Sequence, residues 1–177
     1  MKKRLEVVAS GFGGQGVVRL GQVLGEAAVE QGLHVTMLKS HGTEMRGGYV
    51  RSQIVLSEEI IDSPMCENPD YLIALSSAAY DRFKHTVPDY GTIVYDPAFV
   101  EKIDTTLPCR QRALPAKELS TQHFGKPMFS NSIALGAMAR LLDKELKKEI
   151  VLECILRVLP KFQEENRKAF EIGYENI

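Results

Sequence analysis

Four glycines crowd the six positions Gly11-Phe12-Gly13-Gly14-Gln15-Gly16. They follow the apolar run Leu5–Ala9 and precede Val17, Val18 and Leu20, so the segment reads as strand, tight turn and first turn of a helix. Such a turn aims backbone N–H groups and the positive end of a helix dipole at one point, the usual geometry of a phosphate or pyrophosphate site. Gly11, Gly13 and Gly16 satisfy G-x-G-x-x-G, the dinucleotide spacing. Packing of a helix on a sheet does not by itself call for glycine at Gly11 and Gly14, which favours an anion site. Gln15 has an amide that either donates to a phosphate oxygen or pins the turn's own backbone.

A dinucleotide site also ends its second strand with an acid that holds the ribose hydroxyls. The second strand here runs over His34–Lys39, and Lys39 stands where that acid belongs. This argues against ordinary NAD and leaves a phosphate-decorated ligand or no dinucleotide. Lys39 either reaches such an anion or ends its strand in water. Asn131, behind a Ser130 that reads as a helix cap, either turns its amide toward the same crevice or satisfies N–H groups of its own first turn.

The elements that must position these residues alternate along the chain. Val17, Leu20, Leu24, Ala27 and Ala28 give one apolar helix face that stops at Gly32. Residues Ser40–Gly48 form a glycine-rich loop, too short for a crossover helix, so the second strand and Tyr49–Leu56 should be antiparallel or diverge. Ser57-Glu58-Glu59 reads as a hairpin turn into a brief strand near Ile60–Ile61. Tyr71–Leu75, Gly91–Asp96 and Arg110–Leu114 read as further strands. Helices are expected from Ser76 or Ser77 to about Thr86, from Pro115, over Asn131–Leu142, over Lys147–Leu159 and over Lys161–Ile172. The fold class is α/β: a three-layer α/β/α sandwich on a mixed, mostly parallel sheet, with a Rossmann-like first β-turn-α unit.

Composition narrows the function. A length of 177 residues suits one domain, 1–177. A net charge of −1, evenly spread, leaves no electrostatic footprint for nucleic acid. No apolar run approaches membrane-spanning length, and Met1-Lys2-Lys3-Arg4 leads into a short strand rather than a signal-peptide core, so the expected location is cytoplasmic, with no membrane partner. Cys66, Cys109 and Cys154 have neither disulfide nor C-x-x-C spacing and read as small buried side chains. The histidines lack ligand spacing, so no metal site is expected.

Gly11–Gly16 together with Glu44-Met45-Arg46-Gly47-Gly48 resembles the gamma subunit, or gamma domain, of 2-oxoacid:ferredoxin oxidoreductases. The likeness continues through Ser63-Pro64, Pro69–Ala74 and Asn131–Gly136 and covers nearly the whole chain. Ser40–Gly48 is most similar to separate gamma subunits of the 2-oxoglutarate type, although their commoner Tyr-Gly-Pro is replaced by His41-Gly42-Thr43. The resemblance implies an enzyme in which a 2-oxoacid, 2-oxoglutarate or pyruvate, adds to thiamine diphosphate and loses carbon dioxide. Electrons then pass through iron–sulfur clusters to ferredoxin, and the acyl group leaves on coenzyme A. This chain has neither a thiamine motif nor cysteine clusters, so the resemblance makes it an accessory subunit with no catalytic residue and no cofactor of its own, inactive without alpha, beta and ferredoxin-like delta subunits.

Within that picture Gly11, Gly13, Gly14, Gln15, Gly16, Lys39 and Asn131 are the cofactor-side candidates. Ser40, His41, Glu44, Arg46, Gly47 and Gly48 are the interface candidates. Gly47-Gly48 permits close approach of another backbone, whereas Glu44 and Arg46 either pair locally in a solvated loop or meet a partner. Two other readings stay open: a free-standing NAD(P)- or CoA-binding Rossmann-like module, and a nucleotide- or CoA-sensing protein. The first accounts for Lys39 through a 2′-phosphate but not for Glu44–Gly48, and leaves no room for a substrate domain.

Overall fold

The structure, a computed structural model, describes residues 4–41 and 49–177. Six strands form one sheet: β1 (Arg4–Phe12), β2 (His34–His41), β3 (Tyr49–Ser57), β4 (Tyr71–Ala74), β5 (Thr92–Tyr95) and β6 (Arg110–Ala113). Their order is β2-β3-β1-β4-β5-β6. The β1, β4, β5 and β6 neighbours are parallel, whereas β3 runs antiparallel to both β1 and β2. The mixed, mostly parallel sheet follows from connection length. The helix Ser77–Phe83 crosses over between β4 and β5, a fourteen-residue stretch without a helix joins β5 to β6, and the short link between β2 and β3 permits only a reversal.

Helix α1 (Val17–Glu30) buries Val17, Leu20, Val23, Leu24, Ala27 and Ala28 against the sheet. That stripe, spaced by three and four residues, is the one the sequence predicts, with Val23 added to it. Gly32 follows the helix at φ 80, a conformation that stops helices. The same sheet face carries α4 (Ser130–Leu141), α5 (Lys148–Val158) and α6 (Gln163–Glu175) in one core with α1, and α3 (Ala116–Phe124) joins its edge. The opposite core is smaller, built by Val8, Leu72, Ile93, Tyr80, Phe83 and Val100. Among the described residues, α2 (Ser77–Phe83), a 3-10 turn over Lys84–Thr86, the chain after β5 and the segment around Cys66 cover that face. The three layers are therefore unequal.

Ser76 caps α2, its Oγ accepting from the Ala79 N–H at 3.1 Å. Two local expectations fail. Ser57–Ile61 makes no hairpin: β3 ends at Ser57 and no strand follows before β4 among the described residues. Ile60 is 85% exposed and Ile61 half-buried, and no neighbouring strand holds the pair extended among the described residues. Ser130 does not cap α4; it is that helix's first residue, and its hydroxyl donates to the Pro127 carbonyl at 2.6 Å. The preceding 3-10 turn, Pro127–Phe129, already supplies the helical entry, which leaves no extended residue to act as cap.

Candidate functional site

The parallel strands β1, β4 and β5 all end on one side of the sheet, where an open α/β fold gathers ligands. A cleft of about 900 Å³ opens there. Its wall is the glycine turn with the start of α1; Asp96, Phe99 and Lys117 line one flank, and Met128 and Asn131 another.

Three of the four glycines of the turn have a reason each. Gly16 precedes α1 at φ 73, and a Cβ there would overlap the Asn131 amide. Gly14 holds φ 91, which L side chains rarely adopt. At Gly11 a Cβ would strike the Gln15 amide oxygen and stand 2.9 Å from Leu75 Cβ, so internal packing accounts for this glycine, contrary to the sequence reading. Gly13 is the exception in the turn: its φ is not positive, and a Cβ there would meet no atom within 4 Å. Nothing among the described residues requires glycine at that exposed position.

Gln15 does the backbone work. Its Oε1 accepts from the Phe12 N–H at 2.6 Å and its Nε2 donates to the Leu75 carbonyl at 2.7 Å. Both ends of the amide are thus engaged, and the side chain ties the turn to the end of β4. Asn131 performs a similar tie from the other side, donating from Nδ2 to the Gly16 carbonyl at 3.1 Å. It does not cap its own helix, and its Oδ1 is buried with no hydrogen-bond partner. Gly16 has no side chain to offer the first-turn N–H groups of α1, so that helix end keeps its capacity for an anion.

Asp96, at the end of β5, is buried and accepts from the Ala98 N–H at 2.9 Å and the Lys117 N–H at 2.9 Å. Burial pushes its carboxyl above the usual range, against the pull of those two N–H groups. Lys117 places its ammonium 5.0 Å from the centre of the Phe99 ring at the same flank. Sequence reasoning passed over both residues. Asp96 had a usable signal, an acid directly after an apolar strand that ends at the carboxyl side of a parallel sheet.

Lys39 lies apart from this cleft. It is exposed, pairs with Ser52 on the edge strand β2, and is not among the lining residues. Because β3 inserts between β1 and β2, the strand carrying Lys39 stands two spacings from β1, roughly 10 Å. The sequence argument assumed Rossmann adjacency of the first two strands. Ser40 and His41 close β2 on the same side, whereas Glu44, Arg46, Gly47 and Gly48 lie outside the described residues.

The thiols are unsuited to chemistry. Burial and the nearby Glu6 carboxylate push the Cys66 thiol up to about 12, and burial with Glu30 takes Cys154 to about 11. Cys154 belongs to the core on one sheet face and Cys109 to the core on the other. An iron–sulfur cluster takes four thiolates close together, so the chain does not fit such a group. Among the described residues no group of three His, Cys, Asp or Glu could hold a metal ion, and no helix is long and apolar enough to cross a membrane.

Two curated relatives are the 2-oxoglutarate synthase subunits KorC of Archaeoglobus fulgidus and Methanocaldococcus jannaschii. Each is 35% identical and aligns over 99% of this chain, covering 89% and 95% of the relatives' lengths. Among solved structures, the gamma subunit of a keto/oxoacid ferredoxin oxidoreductase from Geobacter sulfurreducens superposes with a TM-score of 0.86 at 30% identity, over 98% of this chain and 95% of that one. A 2-oxoglutarate:ferredoxin oxidoreductase from Magnetococcus marinus, solved with 2-oxoglutarate, coenzyme A and succinyl-CoA bound, also gives 0.86 at 25% identity. It covers 98% of this chain but 31% of its own. Residues 6–176 match the family described as pyruvate ferredoxin/flavodoxin oxidoreductase. The chain belongs to the pyruvate ferredoxin/flavodoxin oxidoreductase family.

Proposed function

We propose that this chain is the gamma subunit of a multi-subunit 2-oxoacid:ferredoxin oxidoreductase that converts 2-oxoglutarate to its acyl-CoA. The observation that carries this reading is end-to-end likeness to separate KorC subunits, 99% of this chain against 89–95% of theirs. A Rossmann dehydrogenase would not give that coverage. Thiamine diphosphate and the iron–sulfur clusters belong, on this reading, to alpha, beta and ferredoxin-like delta subunits, and ferredoxin is the acceptor. Three dispersed, protonated thiols support assigning the clusters elsewhere.

The cleft's chemistry fits coenzyme A; when bound, it supplies the thiol that accepts the acyl group. The open α1 N-terminus and the bare backbone at Gly13 and Gly14 suit a phosphate, and the Lys117 ammonium adds charge nearby. Phe99 and Met128 give apolar surface for the organic part of such a ligand. Gln15 and Asn131 hold the turn in the open form rather than donating directly. This chain's part in the reaction is to bind and orient, and the electron transfer is the cofactors'.

Substrate choice is tested on the assembled enzyme. With coenzyme A and a low-potential dye, kcat/KM for 2-oxoglutarate should exceed that for pyruvate and for branched 2-oxoacids by at least about tenfold, a difference of ~1.4 kcal/mol. A preference for pyruvate would overturn the 2-oxoglutarate assignment while leaving the family standing.

A further inference from the structure

Outside the cleft, on the face covered by α2, two arginines lie over aromatic rings. The Arg82 guanidinium is 4.4 Å from the centre of the Tyr49 ring, and that of Arg51 is 5.1 Å from the centre of Phe83. The two rings meet edge to face at 6.2 Å. Phe83 is buried and Tyr49 half-buried, so the rings are fixed from below while Arg82 is exposed. Arg51 Nε also donates to Ser40 Oγ at 3.4 Å.

Neither guanidinium meets a carboxylate among the described residues, whose ion pairs are made by Arg4, Lys84, Arg140, Lys148 and Arg157. Asp81, the acid next to Arg82 in sequence, pairs with Lys84 instead. Stacking covers the flat face of a guanidinium and leaves N–H groups at its edge, beyond the one Arg51 gives to Ser40, oriented for a carboxylate. The strand register locates the cluster. Tyr49 pairs with Phe12 and Arg51 with Ser10, beside the glycine turn and the last residues of β2, where Ser40 pairs with Arg51.

We propose that Arg51 and Arg82 anchor an acidic segment of a neighbouring subunit, with carboxylates meeting both guanidiniums. Charge complementarity gives the sign of the occupant, and surface shape gives its size. Neither arginine lines the cleft, and small ligands need concavity, whereas a surface of arginine, tyrosine and the 40% exposed Phe12 has the composition of a protein-interface centre. The inference rests on the gamma-subunit reading, because it requires a partner.

The test uses the complex captured through a tag on this chain and washed at rising ionic strength. Arg51→Gln with Arg82→Gln should weaken retention of the larger subunits at least tenfold and flatten its salt dependence. Arg82→Lys should restore retention only in part, because charge returns without the fork. Arg82→Gln alone, at an exposed position, guards against misfolding and should show a smaller loss in the same direction. Release of the subunits at the same salt from all variants and the wild type would overturn the anchor. So would a millimolar dicarboxylate whose stabilisation of the complex is lost in the double variant while subunit retention is unchanged, since the pair would then be a small-anion site. A wild-type chain that retains no larger subunit would overturn both this inference and the subunit reading.

Discussion

The Asn131 side chain, at the start of α4, donates to the carbonyl of Gly16 across 115 positions of sequence. The contact joins the two helix starts that flank the cleft and leaves room at Gly16 for a hydrogen only, since a Cβ would overlap the Asn131 amide. Gly16→Ala therefore carries two penalties, a left-handed backbone for an L-residue, about 1–2 kcal/mol, and the displaced amide. The second disappears when Asn131 is already alanine. Urea unfolding of both single variants and the double should give a coupling of about 1 kcal/mol, with Gly16→Ala cheaper in the Asn131→Ala background. Strict additivity would mean that the two groups do not constrain each other.

Gly13 and Gly14 separate packing from ligand recognition. Gly14→Val puts a β-branched residue at φ 91 and should cost roughly 1–3 kcal/mol of folding stability. Gly13→Ala meets no atom and no backbone penalty, so its stability should stay within about 0.5 kcal/mol of the wild type. Activity of the assembled enzyme, or its saturation by coenzyme A, should nevertheless fall in Gly13→Ala if the turn faces a ligand. Full activity and unchanged coenzyme A saturation in both variants would make the turn a packing device.

Cys66 offers a test of burial. Its thiol, ordinarily near 9, rises to about 12 because burial and Glu6 both oppose the thiolate. The folded state holds this proton more tightly than the unfolded chain. The associated stability is therefore complete below about pH 9 and is lost as pH rises toward 12. At about pH 8, alkylation of Cys66 by iodoacetamide should run at least ~100-fold slower in the native protein than in denaturing urea, because the thiolate is so scarce. Peptide mass spectrometry resolves this cysteine from the other two. Comparable rates in the two states would mean that the thiol is neither buried nor suppressed.

Legibility in the sequence tracked how local each cause was. The glycine turn, the α1 stripe and the Ser76 cap depend on neighbours within a few residues, and all were readable. The reversal between β2 and β3 was readable because a loop of that length excludes a crossover. Strand order was not. Lys39 carries no mark that β3 will insert between its strand and β1, so the sequence could not choose between an anion ligand and a strand end in water. Ile60–Ile61 has strand-like residues and no partner to pair with, and strand formation depends on that partner. Gly11 shows the same limit from the other side, since its reason is Leu75, brought close by the pairing of β1 with β4. For Asn131 the sequence left two readings open, an amide in the crevice or a partner for its own first turn, and the acceptor it meets, the Gly16 carbonyl, is a tertiary fact.

The central claim, that this chain is one subunit of a larger enzyme and inactive alone, is tested most directly by one purification followed by one assay. The tagged chain is recovered from its native cells under anaerobic conditions, and the chain expressed alone is prepared in parallel. Both are assayed for coenzyme A-dependent dye reduction by 2-oxoglutarate and analysed for iron and thiamine. The account predicts larger, iron-containing chains and activity in the first preparation, and no iron, thiamine or activity in the second. Oxidation of 2-oxoglutarate or pyruvate by the isolated chain, or its recovery from cells without any larger subunit, would contradict it.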